Sequence, residues 1–294
     1  LIACVSMEAQ ECSIKPMDDR VHQVRPHYGQ ITIAKRIFSV LKDSPIVAAH
    51  HDCDKVQDPY SFRCIPQVHG AVLESYEKLV KTIEIEINSA TDNPLIFPNP
   101  SEPGVDEVIS QGNFHGEILA ICADNMSHAL FELAHISERR IDQMVDPTRS
   151  GLPAFLAKNS GLESGMMIVH YVAAAALAEM HGRASPRSAF STPTSGGQED
   201  HVSMGATACW NLVETCLHLS EVLACELLIA CEALEYRVAE PADHVYRLYK
   251  LVRKICDPLD GDRSTSKEIE AIATQLRNGR WLARIEAECG RLFR

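Results

Sequence analysis

Hydrophobic residues recur at helical spacing over the longest stretch of the chain without a break, which follows a loop at 194–198. Its apolar positions include Leu212, Leu219, Leu223, Leu227, Ile229, Cys231 and Leu234. The pattern predicts one helix from near Glu199 to near residue 236, about 55 to 60 Å long at about 1.5 Å per residue. A helix of that length needs neighbours along all of it, so the pattern also predicts other long helices beside it.

Similar spacing predicts shorter and longer helices elsewhere. They cover residues 31–42, 68–90, 116–144, 162–184, 245–256, 267–277 and 281–289. The chain has no alternating strand pattern and no repeat of fixed period. The predicted fold is all-α, with long, near-parallel helices in a bundle and irregular loops between their ends.

Three of the predicted loops carry side chains suited to a small polar ligand. The segment 43–67, interrupted by three prolines, is predicted to be irregular, and it holds Gln57, Tyr60 and Arg63. Their spacing would place all three on one side of a helical turn. A guanidinium in such a place can bind a carboxylate through two N–H donors.

The other two loops add an aromatic ring and a carboxylate. Residues 112–116 read Gly-Asn-Phe-His-Gly, where Phe114 can form the wall of a pocket and the glycines let backbone approach a ligand. Glu199 lies at the predicted start of the central helix, where a carboxylate can cap free N–H groups or face a ligand. Together these groups suit a zwitterionic amino acid with a polar side chain.

Composition narrows the class of protein. The 294 residues carry a formal charge of −12, which argues against a nucleic-acid or anionic-membrane surface. No membrane span or signal peptide is visible. Eleven cysteines occur without zinc or disulfide spacing. They are typical of buried, reduced thiols, so the sequence predicts a cytoplasmic protein.

Two further clusters have competing interpretations. Residues 50–54 (His-His-Asp-Cys-Asp) offer metal-ligand side chains, but contiguous residues cannot all face one ion, so no metal site is predicted. Residues 137–140 (Ser-Glu-Arg-Arg) could bind phosphate, although solvated helix surface or pairing between helices is the more ordinary role. Met166 and Met167 are predicted to fill the core.

Seven motifs resemble one known family, the aromatic amino acid ammonia-lyases, and in particular its histidine-specific members. The motifs lie at 25–30, 56–64, 88–94, 112–117, 137–141, 151–156 and 198–205. The resemblance runs in the family's order to about residue 237. It implies the aspartase/fumarase-like helical fold, with residues 1–237 as the C-terminal part of the catalytic core and 238–294 as a helical extension.

The resemblance also implies a reaction and roles for particular residues. Family members eliminate ammonia from an amino acid, and histidine gives urocanate. Their electrophile is a methylidene-imidazolone (MIO) formed from an internal Ala-Ser-Gly. Arg63 would bind the substrate carboxylate, Gln57 and Tyr60 would lie beside the electrophile, Glu199 would face the imidazole, and Phe114 and Met167 would shape the pocket.

The departures from the family's pattern leave alternatives. No Ala-Ser-Gly occurs in the sequence, so the MIO segment is expected in a missing N-terminal part, and this chain alone is expected to be inactive. Gln111 and Glu163 also stand where the family has other residues. The family resemblance implies a homotetramer with shared active sites. An inactive relative serving as an assembly subunit, or a lyase or aminomutase for another aromatic amino acid, are the alternatives.

Overall fold

The computed structural model describes residues 1–49, 56–102 and 104–291. Four long helices form the centre of the molecule: α6 (Ile65–Glu86), α7 (Glu117–Val145), α9 (Met167–Arg183) and α10 (Gly205–Leu234). Shorter helices precede, connect and follow them. These are α1 (Ile2–Ala9), α2 (Asp19–Gln23), α3 (Tyr28–Leu41), α4 (Pro45–Ala49), α5 (Tyr60–Arg63), α8 (Pro147–Ser150), α11 (Asp243–Val252), α12 (Ser266–Asn278) and α13 (Arg280–Cys289).

Side-chain contacts give the directions of the long helices. Helix α10 runs parallel to α7, because Ala208 packs against the start of α7 while Glu226 pairs with Arg140 near its end. Helix α9 runs the opposite way, with His170 on Glu138 and His181 on Phe131. The predicted bundle of near-parallel helices is therefore confirmed.

The central helix is shorter than predicted. It begins at Gly205, not near Glu199, and its 30 residues span about 45 Å. Met204 adopts a left-handed backbone conformation with φ of 54°. That conformation cannot continue a right-handed helix, so Glu199 lies in the preceding loop. The prediction that Glu199 belongs to the first turn of the helix is wrong.

Other boundaries differ from the sequence expectation for local reasons. Segment 43–67 contains α4, α5 and the start of α6, because Pro45 and Pro66 lie in first helical turns, where proline is tolerated. The helix predicted from residue 162 begins only at Met167. Strands β1 (Leu95–Phe97) and β2 (Glu107–Ile109) form an antiparallel hairpin too short to show alternation in the sequence.

A buried ion pair joins the helices at the centre of the core. Arg140 and Glu226 are 1% and 0% exposed, and Arg140 Nε donates to Glu226 Oε1 at 2.5 Å. The hydroxyls of Ser6 and Ser137 also donate to this carboxylate, at 2.6 and 2.5 Å. Of the three roles considered for 137–140, pairing between helices is the one observed for Ser137 and Arg140. Around this pair, the second half of α10 is almost completely buried.

The chain after residue 237 packs on the same core. Arg253, the residue after α11, binds Glu232 near the end of α10 and Glu235 just after it, at 3.0 and 2.9 Å. The backbone N–H of Ala242 donates to Glu8 on α1 at 2.8 Å. The division at residue 237 stays a prediction, since these contacts cross it.

The cysteines of the described residues are all free thiols. Burial raises the pKa of Cys225 and of Cys231 to about 12, so these thiols stay protonated and unreactive near neutral pH. Cys209 and Cys216 are exposed on α10, so the expectation that they are buried is wrong. In the described part of the chain no helix has the length and apolar character needed to cross a membrane.

Helices α3 and α6 touch backbone to backbone at Gly29 and Gly70. A Cβ on Gly29 would lie 2.1 Å from the Gly70 carbonyl oxygen, and one on Gly70 would lie 2.4 Å from the Gln30 nitrogen. We expect Gly70→Ala to lower the free energy of unfolding by about 1–3 kcal/mol, because the helices must separate. Urea titration of the 294-residue chain measures it.

Gly182 provides the matched control for this substitution. It is an exposed glycine near the end of α9 whose added Cβ would meet nothing within 4 Å. Gly182→Ala should leave stability unchanged or raise it by about 0.5 kcal/mol, since alanine favours the helix. Equal effects of the two substitutions would contradict the close packing at Gly70.

Candidate functional site

Arg63 ends the short helix α5 and faces a cleft. The carbon of its guanidinium lies 4.5 Å from the centre of the Tyr60 ring, so the cation stacks on that ring. Its Nε is buried without a hydrogen-bond partner among the described residues. Tyr60 itself is 71% exposed. Tyr60 and Arg63 thus share one helical turn as predicted, but Gln57 lies before α5, so the prediction that all three lie on that turn is wrong for Gln57.

The cleft has a volume of about 540 Å³ and lies between the segment after α1 and the segment before α5. Gln57 and Arg63 both line it, as do Lys15 and Phe38. Asp58 fixes the two walls relative to each other, because its carboxylate accepts the backbone N–H of Ser13 at 2.8 Å. A guanidinium in such a cleft, with an N–H that no described residue binds, is suited to a small carboxylate ligand.

A second group of predicted residues lies on two other loops. Glu199 is exposed and is held by Thr194, whose hydroxyl donates to Glu199 Oε2 at 2.5 Å. The backbones of the two residues also pair, with Thr194 N–H donating to the Glu199 carbonyl at 2.9 Å. The hydrogen bonds from Thr194 and then Ser195 lower the pKa of the Glu199 carboxyl. The loop therefore presents an ionised carboxylate to its surroundings.

Phe114 lies on the loop before α7 and is 57% exposed. Gln111 organises this loop, since its side-chain amide donates to the Asp92 carbonyl and accepts the Asn113 N–H, both at 2.5 Å. The loop contacts the Glu199 loop through His115, whose Nε2 lies 3.1 Å from the His201 carbonyl oxygen. Phe114 and Glu199 therefore lie on two loops that contact each other.

The two groups lie at opposite ends of α7. Arg140, near the end of α7, donates from Nη1 to the Ser61 carbonyl in α5 at 3.3 Å. Phe114 precedes the first residue of the same helix, Glu117. The distance along α7 from Gly116 to Arg140 is about 35 Å at about 1.5 Å per residue. Within one chain, Arg63 and Glu199 therefore do not form a common pocket.

Met167 lies at the Arg63 end of the bundle. It is the half-buried first residue of α9, and His170 one turn later donates from Nε2 to the Glu138 carboxylate near the end of α7 at 2.7 Å. Its neighbour Met166 is completely buried, as predicted for core filler. No described contact joins Met167 to Phe114 or Glu199, with which it was expected to shape the substrate pocket.

Sequence reasoning missed one cluster of possible ligands. His115, Glu117 and His201 lie close together, although residues 115 and 201 are far apart in sequence and have no zinc-like spacing. The metal-ligand types considered at 50–54 lie outside the described residues. The signal that would have found the cluster is the pairing of the 112–116 and 198–205 motifs in space.

Comparison with known proteins gives one consistent result. The profile of the family described as "Aromatic amino acid lyase" matches residues 1–254. Histidine ammonia-lyase of Myxococcus xanthus is 42% identical over 284 residues, covering 96% of this chain and 55% of that protein. Histidine ammonia-lyase of Caldanaerobacter subterraneus is 44% identical over 280 residues, which cover 95% of this chain and 54% of that protein.

Solved structures agree with the sequence comparison. Histidine ammonia-lyase from Trypanosoma cruzi superposes with a TM-score of 0.87 at 37% identity, covering 97% of this chain and 53% of that one. Tyrosine aminomutase from Streptomyces globisporus superposes with a TM-score of 0.89 at 30% identity. The match covers 98% of this chain and 57% of that one. The chain thus spans about half the length of the relatives that it matches.

Proposed function

The chain belongs to the family of aromatic amino acid lyases, and we propose that it supplies the Arg63 and Glu199 groups of a histidine ammonia-lyase. The reaction is the non-oxidative elimination of ammonia from L-histidine to give urocanate. The observation that carries the proposal is the buried, unpartnered Nε of Arg63 in a cleft with Gln57. The relatives named histidine ammonia-lyase support the choice of substrate.

Each side chain has a role that follows from its chemistry. Arg63 binds the substrate carboxylate through paired N–H donors, and its stacking on Tyr60 restricts the guanidinium to one orientation. Gln57 and Tyr60 orient the reacting amine and move protons beside it. Glu199, kept ionised by Thr194, accepts an N–H of the substrate imidazole, and Phe114 packs on the ring.

Gln57 and Tyr60 fit the position proposed for them beside the electrophile of the family. Both are exposed: Gln57 lines the same cleft as Arg63, and the Tyr60 ring stacks on the Arg63 guanidinium, so both are accessible to a group from another segment of polypeptide. The methylidene-imidazolone, formed from Ala-Ser-Gly, supplies the electron-withdrawing centre that makes loss of the amine possible. This sequence contains no Ala-Ser-Gly, so the proposal assigns that group to residues outside these 294.

The residues around Arg63 and those around Phe114 and Glu199 lie at opposite ends of α7. This separation supports shared active sites in a homotetramer. Apolar side chains are exposed at the Phe114 end of the bundle: Ile83, Ile85, Ile87, Ile118, Ile121, Trp210, Val213 and Leu217. Exposed apolar patches of this kind mark protein interfaces. In the proposed tetramer, the Phe114 end of one subunit meets the Arg63 end of another, so each site is completed by a second copy.

Urocanate formation, followed by near-UV absorbance with histidine as substrate, tests the proposal. The longer protein that includes an Ala-Ser-Gly segment should form urocanate, and Glu199→Gln should reduce kcat/KM for histidine by about tenfold or more. Phenylalanine is the control substrate, since it has no imidazole N–H for Glu199 to accept. If Glu199→Gln reduces kcat/KM equally for histidine and phenylalanine, the proposed contact between Glu199 and the imidazole is wrong. If the longer protein is folded and assembled but forms no urocanate, the proposed activity is wrong.

Thr194 is expected to position Glu199 for this contact. Thr194→Val removes the hydroxyl that holds the carboxylate and should raise KM for histidine by about three- to tenfold with little change in kcat. Thr194→Ser keeps the hydroxyl and should restore most of the affinity. If the valine and serine variants have the same KM as the parent protein, the hydrogen bond has no part in substrate binding.

The aminomutase neighbours favour one alternative activity. Tyrosine aminomutase has the same fold over 98% of this chain, so an amine shift on another aromatic amino acid is a second candidate. A β-amino acid product from tyrosine or phenylalanine, without urocanate from histidine, would favour it. No product from any of the three amino acids in the longer protein would favour a non-enzymatic assembly subunit.

A further inference from the structure

His115, Glu117 and His201 form a cluster outside the residues assigned to the substrate. His115 lies on the loop before α7, Glu117 is the first residue of α7, and His201 lies on the loop before α10. One ligand atom from each of the three lies within 4.8 Å of the others. From this arrangement we propose a binding site for a divalent transition-metal ion of the zinc class.

The spacing of the two imidazoles fits a common ion. His115 Nε2 and His201 Nδ1 are 3.5 Å apart, and the ring centroids are 5.5 Å apart. A tetrahedral zinc ion bound at about 2.0–2.1 Å holds two nitrogen ligands about 3.3 Å apart. The two nitrogens therefore need to move by only a few tenths of an ångström to share an ion.

Glu117 supplies an independent reason for a cation at this place. Its Oε2 is buried and has no hydrogen-bond partner among the described residues. A carboxylate oxygen removed from water without a partner is destabilising, and a bound cation offsets that cost. Glu117 is also the first residue of α7, where the helix dipole favours a negative charge.

The type of ligands selects the class of ion. Two imidazole nitrogens and one carboxylate suit zinc, cobalt or nickel ions, whereas calcium and magnesium prefer shells made of oxygen alone. Three protein ligands leave a further position for water. In the ion-free protein His115 Nε2 carries the proton that it donates to the His201 carbonyl. Binding the ion moves that proton to Nδ1, which is the other neutral tautomer.

An ion at this position joins two loops that have no shared secondary structure. The His115 loop carries Phe114, and the His201 loop carries Glu199. Coordination by all three residues holds the two loops at one separation and so limits the motion of Phe114 relative to Glu199. This role is separate from the proposed lyase activity, because it depends on the loops alone.

Titration of the purified 294-residue chain with Co²⁺, followed by its visible absorption, tests the site. We expect one equivalent to bind with the visible bands of a four-coordinate nitrogen–oxygen site, and Zn²⁺ to displace it. His115→Ala, His201→Ala and Glu117→Gln should each weaken binding by about tenfold or more. Circular dichroism establishes that each variant is folded, and the exposed His201 keeps the test usable if another variant is not.

His128→Ala is the matched control, because His128 is an exposed histidine on α7 away from the cluster. It should bind Co²⁺ as the parent chain does. Unchanged binding in folded His201→Ala and Glu117→Gln chains, or charge-transfer bands that report thiolate ligands, would assign the ion to another place and overturn the proposal. Absence of Co²⁺ and Zn²⁺ binding to the parent chain at millimolar concentration would overturn it as well.

Discussion

In the longer protein proposed above, with its Ala-Ser-Gly segment, subunits carrying Arg63→Ala that assemble with subunits carrying Glu199→Ala are expected to recover urocanate formation that neither variant supports alone. Each substitution by itself should lower activity by about a hundredfold or more, because it removes a charged group that orients the substrate. The elements that carry the two residues contact opposite ends of α7, which are about 35 Å apart along that helix in one chain. A site that uses both must therefore take them from different subunits.

The size of the recovery follows from random assembly. If each site draws Arg63 from one subunit and Glu199 from another, about a quarter of the sites in an equal mixture contain both native residues. Co-expression with two different affinity tags, followed by purification through both tags, provides mixed assemblies for the assay. Recovery to about a quarter of the parent activity is the expected result.

Gln57 supplies the control for this experiment. Gln57 and Arg63 line the same cleft of the same chain, so a mixture of Gln57→Ala and Arg63→Ala subunits never assembles a site with both native residues. That mixture should stay as inactive as its components. If mixed tetramers of Arg63→Ala and Glu199→Ala subunits show no recovery of activity, each chain supplies both Arg63 and Glu199 to one site, contrary to the proposal.

Removing Glu226 is expected to have the largest effect on stability. Glu226→Ala leaves Arg140, 1% exposed, as an unpaired buried charge, and the hydroxyls of Ser6 and Ser137 lose their acceptor. Breaking one partner of a buried pair costs about 3–5 kcal/mol. Urea-induced unfolding of the 294-residue chain should report a loss of this size.

Two further variants test whether the unpaired buried charge causes the loss of stability. Glu221 lies on the same helix, is 44% exposed and pairs with His218, so Glu221→Ala should change stability by less than about 1 kcal/mol. Replacing both Arg140 and Glu226 by apolar residues, Arg140→Met with Glu226→Leu, should recover much of the loss, because no charge is then left buried. Similar values for the two single glutamate variants would contradict the importance of the buried pair.

Much of the helical architecture was predictable from local signals. Spacing of apolar residues located α7, most of α6 and α9, and the C-terminal helices, because each helix buries one continuous face. The boundaries were less accurate. Because of the left-handed conformation of Met204, the central helix begins several residues later than predicted, and no residue type in the sequence indicates that conformation. The hairpin of β1 and β2 was missed since three-residue strands have no period to detect.

For the candidate site too, some features were predictable from the sequence and others depended on the tertiary structure. The sequence by itself determined the residue types and the motifs: a guanidinium at Arg63 beside Tyr60, an aromatic ring at Phe114 and a carboxylate at Glu199, since short-range spacing depends only on local backbone geometry. Only the tertiary structure decided which of them meet. The length of α7 separates Arg63 from Glu199, and the packing of two loops joins His115 to His201, because contacts between distant segments depend on how whole helices pack.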